Sequence, residues 1–315
     1  MTGTACGKVI LFGEHAVVHG VPAIAVGIDR GASANARPSE ASALELPGWG
    51  AVIRVNEDKP LARAFTDLLA ASSVTEPVHV TVTTELPPGG GLGCSAALGV
   101  AVARAIDPEA SAEVVAERAN VWERVFHGNP SGVDAAVASL GGCVFFQRAS
   151  AGNEGRLERV RVPVALRLVI GNTGQASSTK SMVDAVARLR ERRPETTKKT
   201  FDAIHTLVKN ARLAIEAGDR RAIGQLLDLN QMLLSGLFVS TPEIETLCAS
   251  ARAAGALGAK LTGAGGGGCV VALVDSVADG DAVLAAWKKE GFEGFVATVA
   301  ATPRARVAPV IEGAA

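Results

Sequence analysis

Apolar and polar positions alternate from Val78 to Thr84, with β-branched residues at most of them, and the pattern predicts a strand. Ala96 to Ile106 is rich in Ala, Val and Leu with no breaker after Gly99, and predicts a helix. Between them runs Pro87-Pro88-Gly89-Gly90-Gly91-Leu92-Gly93-Cys94-Ser95. Near the start, Lys8 opens an apolar run through Phe12 that reads as a strand, cut short by Gly13-Glu14-His15. Arg37 to Gly50 reads as loop, and helices are expected over Pro60 to Ala71 and Ala112 to Phe126, the second opened by Ser111 as N-cap. In that second helix Val115, Ala119, Trp122 and Phe126 recur at core-facing spacing. A strand over Cys143 to Gln147 and a polar loop from Ala149 to Gly155 follow, then Val164 to Ile170 as a buried strand. The second half is mostly helical, over 180–192, 200–217, 220–234 and 243–254, and closes with strands over 269–274 and 295–300. Helices interleaved with strands imply an α+β protein of two domains, 1–165 and 166–315.

Composition narrows the classes. A net charge of −1 lacks the basic excess of a nucleic-acid or membrane-surface protein. The one basic run, Arg188 to Lys199, is interrupted by Glu191, Pro194 and Glu195 and reads as a solvated helix end. Five cysteines without a CxxC pair suit reduced thiols rather than disulfides or a zinc site. No signal-peptide layout opens the chain, and no apolar run approaches the roughly 18 residues of a membrane helix. The expectation is a cytoplasmic protein with neither nucleic-acid nor membrane partners.

Strand, glycine loop and helix start form an arrangement that holds phosphate. Glycines admit an anion close to backbone N–H groups, and the first N–H groups of the helix are unpaired. An ordinary glycine-rich turn with Ser95 as N-cap is the alternative. Gly263-Ala264-Gly265-Gly266-Gly267-Gly268 matches GxGxxG, but a strand follows where a dinucleotide fold needs a helix, so it reads as a loop packing backbone on backbone or closing over a ligand. Gly3 to Lys8 falls short of a Walker A loop, with Val9 where Ser or Thr would stand. Lys8 is a lone cation at the head of an apolar strand, or else a snorkelling surface lysine. His15 and His19 lack the Glu of a zinc-protease motif and read as a polar cluster or as structural histidines. Glu123 lies off the apolar stripe of its helix, where a solvated carboxylate is the default. Asp134 stands three residues after Ser131, the spacing of a capping box, or is a carboxylate held at a helix start facing the glycine loop.

Together these segments resemble the GHMP kinase superfamily and, within it, the mevalonate kinase family. The resemblance rests on Lys8 to Gly20, Pro87 to Ala97, His127 to Asp134 and Lys260 to Cys269, in the family's order, with Asp228 to Gln231 also similar. It implies the two-domain GHMP kinase fold, with the active site in the interdomain cleft. It also implies transfer of the ATP γ-phosphoryl group to the terminal hydroxyl of mevalonate, giving 5-phosphomevalonate in isoprenoid biosynthesis. Carried over, Asp134 is the base, with Lys8 beside it favouring the ionised form and neutralising charge. Pro88 to Ser95 wrap the ATP phosphates, and Ser95 and Glu123 hold Mg2+. Lys8, Glu14, His15 and Asp134 meet the substrate, and Gly263, Ala264, Gly265 and Gly266 form the third motif. The family also suggests a homodimer and prenyl diphosphates as feedback inhibitors. Cys94 departs from the family's usual serine, which puts nucleotide affinity in question. A lowered Cys94 pKa at the helix N-terminus is expected.

Overall fold

The computed structural model describes residues 1–127, 130, 132–149 and 155–302; Ser131 and most of the polar loop expected from 149 to 155 lie outside them. The first sheet contains β1 (Thr2–Phe12), β2 (Ala23–Pro38), β3 (Ala43–Leu46), β4 (Ala51–Arg54), β5 (Val78–Thr84), β6 (Cys143–Gln147) and β7 (Arg156–Val160). Its order is β4-β3-β5-β2-β6-β7, and β1 lies along the remaining edge of β2. The 16-residue β2 is the spine, pairing with β1 on one side and with β5 and β6 on the other. The region expected as loop from Arg37 to Gly50 holds the end of β2 and all of β3, whose Leu44 and Leu46 are buried.

Helices α1 (Pro60–Ala71), α2 (Cys94–Ile106), α3 (Ala112–His127) and α4 (Val133–Leu140) pack with this sheet. α2 lies between β1–β2 and α3, so residues 96–103 are buried on every side of the helix. Gly99 leaves room for the indole of Trp122, because a Cβ there would come within 3.0 Å of the ring. Trp122 is fully buried, and truncating it to Ala would cost about 3–5 kcal/mol. Val115 and Ala119 share its core-facing stripe, and the Val114 N–H donates to the expected Ser111 cap at 3.4 Å.

The second sheet is antiparallel, in the order β11-β8-β10-β9, built from β8 (Leu166–Asn172), β9 (Gly258–Thr262), β10 (Cys269–Val274) and β11 (Glu293–Val299). With it go α5 (Thr179–Arg192), α6 (Pro194–Ala217), α7 (Arg220–Gly236), α8 (Pro242–Ala253) and α9 (Val277–Lys289). The basic run spans the α5–α6 turn, and Pro194 occupies the first turn of α6, where its missing N–H costs nothing. α6 therefore starts two turns before the expected Thr200. No helix among the described residues is long and apolar enough to cross a membrane.

Candidate active site

The two sheets leave a cavity of about 680 Å³ between their loops. β1 brings Lys8 to it. This lysine is only 3% exposed, its stem lies against Gly93, and its N–H donates to Leu92 O at 2.9 Å. Gly93, with φ +71°, is the N-cap of α2, and no side chain caps that end. The opening N–H groups of α2 are therefore left for a ligand. Ser95 is not the cap; it is the second residue of the helix, and its Oγ accepts from Trp122 Nε1 at 3.2 Å. Gly89, Gly90, Gly91 and Gly93 line the cavity, as does Ser95. Leu92 is turned into the core, and Pro88 is not on the wall.

Opposite stand α3 and α4. Glu123, expected on the surface, is 2% exposed, because α4 and the glycine loop cover the flank of α3 that its own spacing leaves polar. Burial, with Asp134 second, pushes its carboxyl up to about 7, against a hydrogen bond from Ser95 and the charge of Lys8. Its Oε1 has no hydrogen-bond partner. Asp134 lies in the first turn of α4, capped by Gly132 rather than Ser131, so the capping-box register does not hold. Its Oδ1 is 3.1 Å from Lys8 Nζ. His127 Nε2 lies 3.6 Å from Glu123 Oε2, and burial lowers the imidazole pKa, so this contact is weak at neutral pH.

The turn after β1 supplies Glu14 and His15. Glu14 is buried against Lys260 of β9, and Asn230 Nδ2 of α7 donates to its Oε2 at 3.0 Å. Lys260 carries no exposed surface, and burial lowers its pKa. His15, at φ +60°, donates from Nε2 to Ala264 O at 2.8 Å, which leaves Nδ1 as an unpartnered acceptor. Burial lowers its pKa to about 4, so the ring is neutral at pH 7 and is no cation for a carboxylate. His19 turns elsewhere, stacking on Phe201 with Arg190 on its Nδ1. The two histidines thus do not form a metal pair, and the structural alternative holds for His19.

The third glycine segment joins β9 to β10 and packs backbone on backbone against the glycine loop before α2. A Cβ on Gly263 would lie 3.2 Å from Gly91 Cα, and one on Gly91 3.1 Å from Thr262 O. Gly263, Ala264 and Gly265 reach the cavity; Gly266 does not, and its N–H bonds Val239 O. Cys94 corrects an expectation. Its Sγ faces Leu86 O and the Thr84 hydroxyl, and burial raises the thiol pKa against the hydrogen bond with Thr84, rather than the lowering expected at a helix N-terminus. Lys180 at the start of α5 lines the cavity and has no role in the sequence reading. The signal was present in Ser178, which caps α5 through the Ser181 N–H just before that lysine.

A GHMP kinases N terminal domain model matches residues 59–142, and a GHMP kinases C terminal model matches 211–293. Mevalonate kinase of Pyrococcus abyssi is 34% identical over 299 residues, covering 86% of this chain and 87% of that protein. The chain belongs to the mevalonate kinases of the GHMP kinase family. The Aeropyrum pernix mevalonate kinase is 36% identical over 287 residues, covering 86% and 87% of the two chains. The crystal structure of L. major mevalonate kinase in complex with R-mevalonate superposes on this kinase with a TM-score of 0.86 at 31% identity, covering 96% and 97% of the chains.

Proposed function

We propose that this kinase transfers the γ-phosphoryl group of ATP to the terminal hydroxyl of mevalonate, with Asp134 as the base and Lys8 beside it. The observation that carries the reading is the Lys8–Asp134 pair facing an uncapped α2 N-terminus across one cavity. In the transfer the hydroxyl oxygen bonds to the γ-phosphorus, its proton passes to the Asp134 carboxylate, and the bond to ADP breaks. Phosphoryl transfer has a loose transition state, so positioning and charge neutralisation dominate. The glycine loop and the open N–H groups of α2 hold the phosphates, and the Lys8 ammonium offsets charge on the transferred group.

Ser95 and Glu123 suit Mg2+. They are hard oxygen donors, and the unpartnered Glu123 Oε1 is a buried acceptor that a cation would satisfy. Among the described residues no cluster of three His, Cys, Asp or Glu side chains is poised for a metal. That agrees with an ion held by one carboxylate, one hydroxyl and phosphate oxygens. Bound there, the ion would neutralise phosphate charge.

Lys8 and Lys180 are the two Lys or Arg side chains on the described cavity wall. With Lys8 engaged by Asp134, Lys180 serves the mevalonate carboxylate, and His15 Nδ1 accepts from a substrate hydroxyl. A substrate already carrying phosphate would need more positive charge, which favours mevalonate over phosphomevalonate. We infer the division at 1–165 and 166–315 from the break between β7 and β8. A cytoplasmic setting is supported by five unpaired cysteines. A homodimer and competition by prenyl diphosphates with ATP rest on family membership alone; sedimentation and inhibition against varied ATP test them.

The deciding experiment is ATP consumption by the purified chain with mevalonate, phosphomevalonate, homoserine and galactose. Mevalonate is expected to be preferred, with phosphate on its terminal hydroxyl. Faster turnover of phosphomevalonate, or phosphate on the tertiary hydroxyl, overturns the reading.

A further inference from the structure

Two edge strands meet beside the cavity without forming a ladder. Among the described residues β1 pairs with β2 alone, and β9 ends the second sheet beyond β10. Side chains join their facing edges. The Ile10 N–H donates to Thr262 Oγ1 at 3.1 Å, the same hydroxyl lies 3.2 Å from Ile10 O as donor, and Lys260 Nζ reaches Ile10 O at 3.4 Å. Lys260 also pairs with Glu14, whose other oxygen accepts from Asn230. Buried edge groups need partners, and here both groups of one residue find them on one hydroxyl and one ammonium. A backbone ladder can slip in register, whereas a hydroxyl serving both groups of a single residue cannot.

What the junction holds is chemical. Lys8 lies two residues before Ile10 on the same strand face, and both line the cavity. Thr262 is the last residue of β9, directly before the Gly263 that packs on Gly91. One seam therefore fixes Lys8, the phosphate loop and the third glycine loop against each other.

We propose that Thr262, Lys260 and Asn230 are positioning residues for phosphoryl transfer, acting through Ile10 and Glu14 to keep the Lys8–Asp134 pair in register with both glycine loops. The proposal rests on the phosphotransfer reading above. Its test uses the full chain with MgATP and mevalonate. Thr262→Val keeps the shape and removes the hydroxyl; Thr262→Ser keeps the hydroxyl. Since a displacement of about 1 Å can cost about 10²-fold, kcat of Thr262→Val is expected to fall by about tenfold or more. KM for both substrates stays near that of the parent, the mark of an interaction felt in the transition state. Thr262→Ser recovers most of kcat. Asn230→Ala, which takes the amide from Glu14 without touching β9, lowers kcat in the same way and covers a Thr262→Val protein that fails to fold. A Thr262→Val enzyme that melts lower but keeps parental kcat overturns the proposal, and so does a rise in KM for ATP at constant kcat. The function reading fails separately, on a parent enzyme without mevalonate-dependent ADP release. In that case the variant-to-parent ratio is read on whichever alcohol the parent phosphorylates.

Discussion

Lys8 Nζ lies 3.1 Å from Asp134 Oδ1, joining the edge strand of the first sheet to the first turn of α4. The pair is asymmetric, with side-chain exposure of 4% for the lysine and 31% for the aspartate. The buried cation is fixed by packing against Gly93, while the carboxylate keeps a face open to the cavity. A base needs that open face, and a purely structural ion pair does not.

Asp134→Asn is expected to lower kcat by roughly 10²–10⁴-fold, the usual effect of losing a general base. The amide keeps the volume, so circular dichroism and nucleotide binding should match the parent. Near-parental turnover in the folded variant would mean that Asp134 only balances the charge of Lys8.

Glu123→Gln should raise the Mg2+ concentration needed for half-maximal activity. The change retains shape but removes the charge of a buried carboxylate whose Oε1 lacks a partner. It should also raise the melting temperature of the ligand-free chain above pH 7, where that carboxylate is ionised and costly to bury. Superimposable Mg2+ titration curves for the two proteins would remove Glu123 from the metal site.

His15 gives a pH dependence of stability with a definite sign. Burial lowers its folded pKa from 6.5 to about 4, so between those values the unfolded chain binds more protons. Stability then rises with pH across that window and is lost as pH falls through it, by about 3 kcal/mol for this one group. His15→Asn, which tolerates the positive φ, should flatten that part of the curve. Parallel urea-denaturation profiles of the two proteins from pH 4 to 6.5 would show that the buried ring does not set this dependence.

How much of this was legible in the chain depends on where each signal resides. The glycine loop is legible locally as a break between a β-branched run and an Ala-rich run, although the same pattern also suits an ordinary glycine-rich turn. The helices carry their own periodicity, and α5, α7 and α8 lie close to expectation, whereas α6 begins two turns early at Pro194. β2 does not, because Ala23 to Pro38 mixes small residues with Asp29, Arg30 and Arg37 and owes its extended form to strands on both edges. α9 was missed although Ser276 and Asp279 form a capping box that was readable in the sequence. Glu123 looked exposed because its burial comes from α4 and the glycine loop rather than from its own helix. Lys260 enters the sequence reading only as the first residue of the third motif; its partner Glu14 is 246 residues away and no local pattern links them.

Gly93→Ala tests whether the phosphate loop and the Lys8–Asp134 pair are one unit. A Cβ at this position would come within 2.7 Å of Lys8 Cγ, on a backbone with φ +71°. The left-handed conformation alone costs an L-residue about 1–2 kcal/mol, and the lysine stem must also move. Because that stem ends on Asp134, the displacement should reach the reacting groups as well as the fold. The expected result is a lower melting temperature together with a kcat reduced by about tenfold or more in the protein that remains folded. Gly48→Ala is the control, since nothing lies within 4 Å of its Cβ and its φ is not left-handed, so stability and kcat should both stay parental. If Gly93→Ala loses stability but turns over at the parental rate, Lys8 adjusts independently of the loop and the two glycine-lined elements do not act together in the transfer.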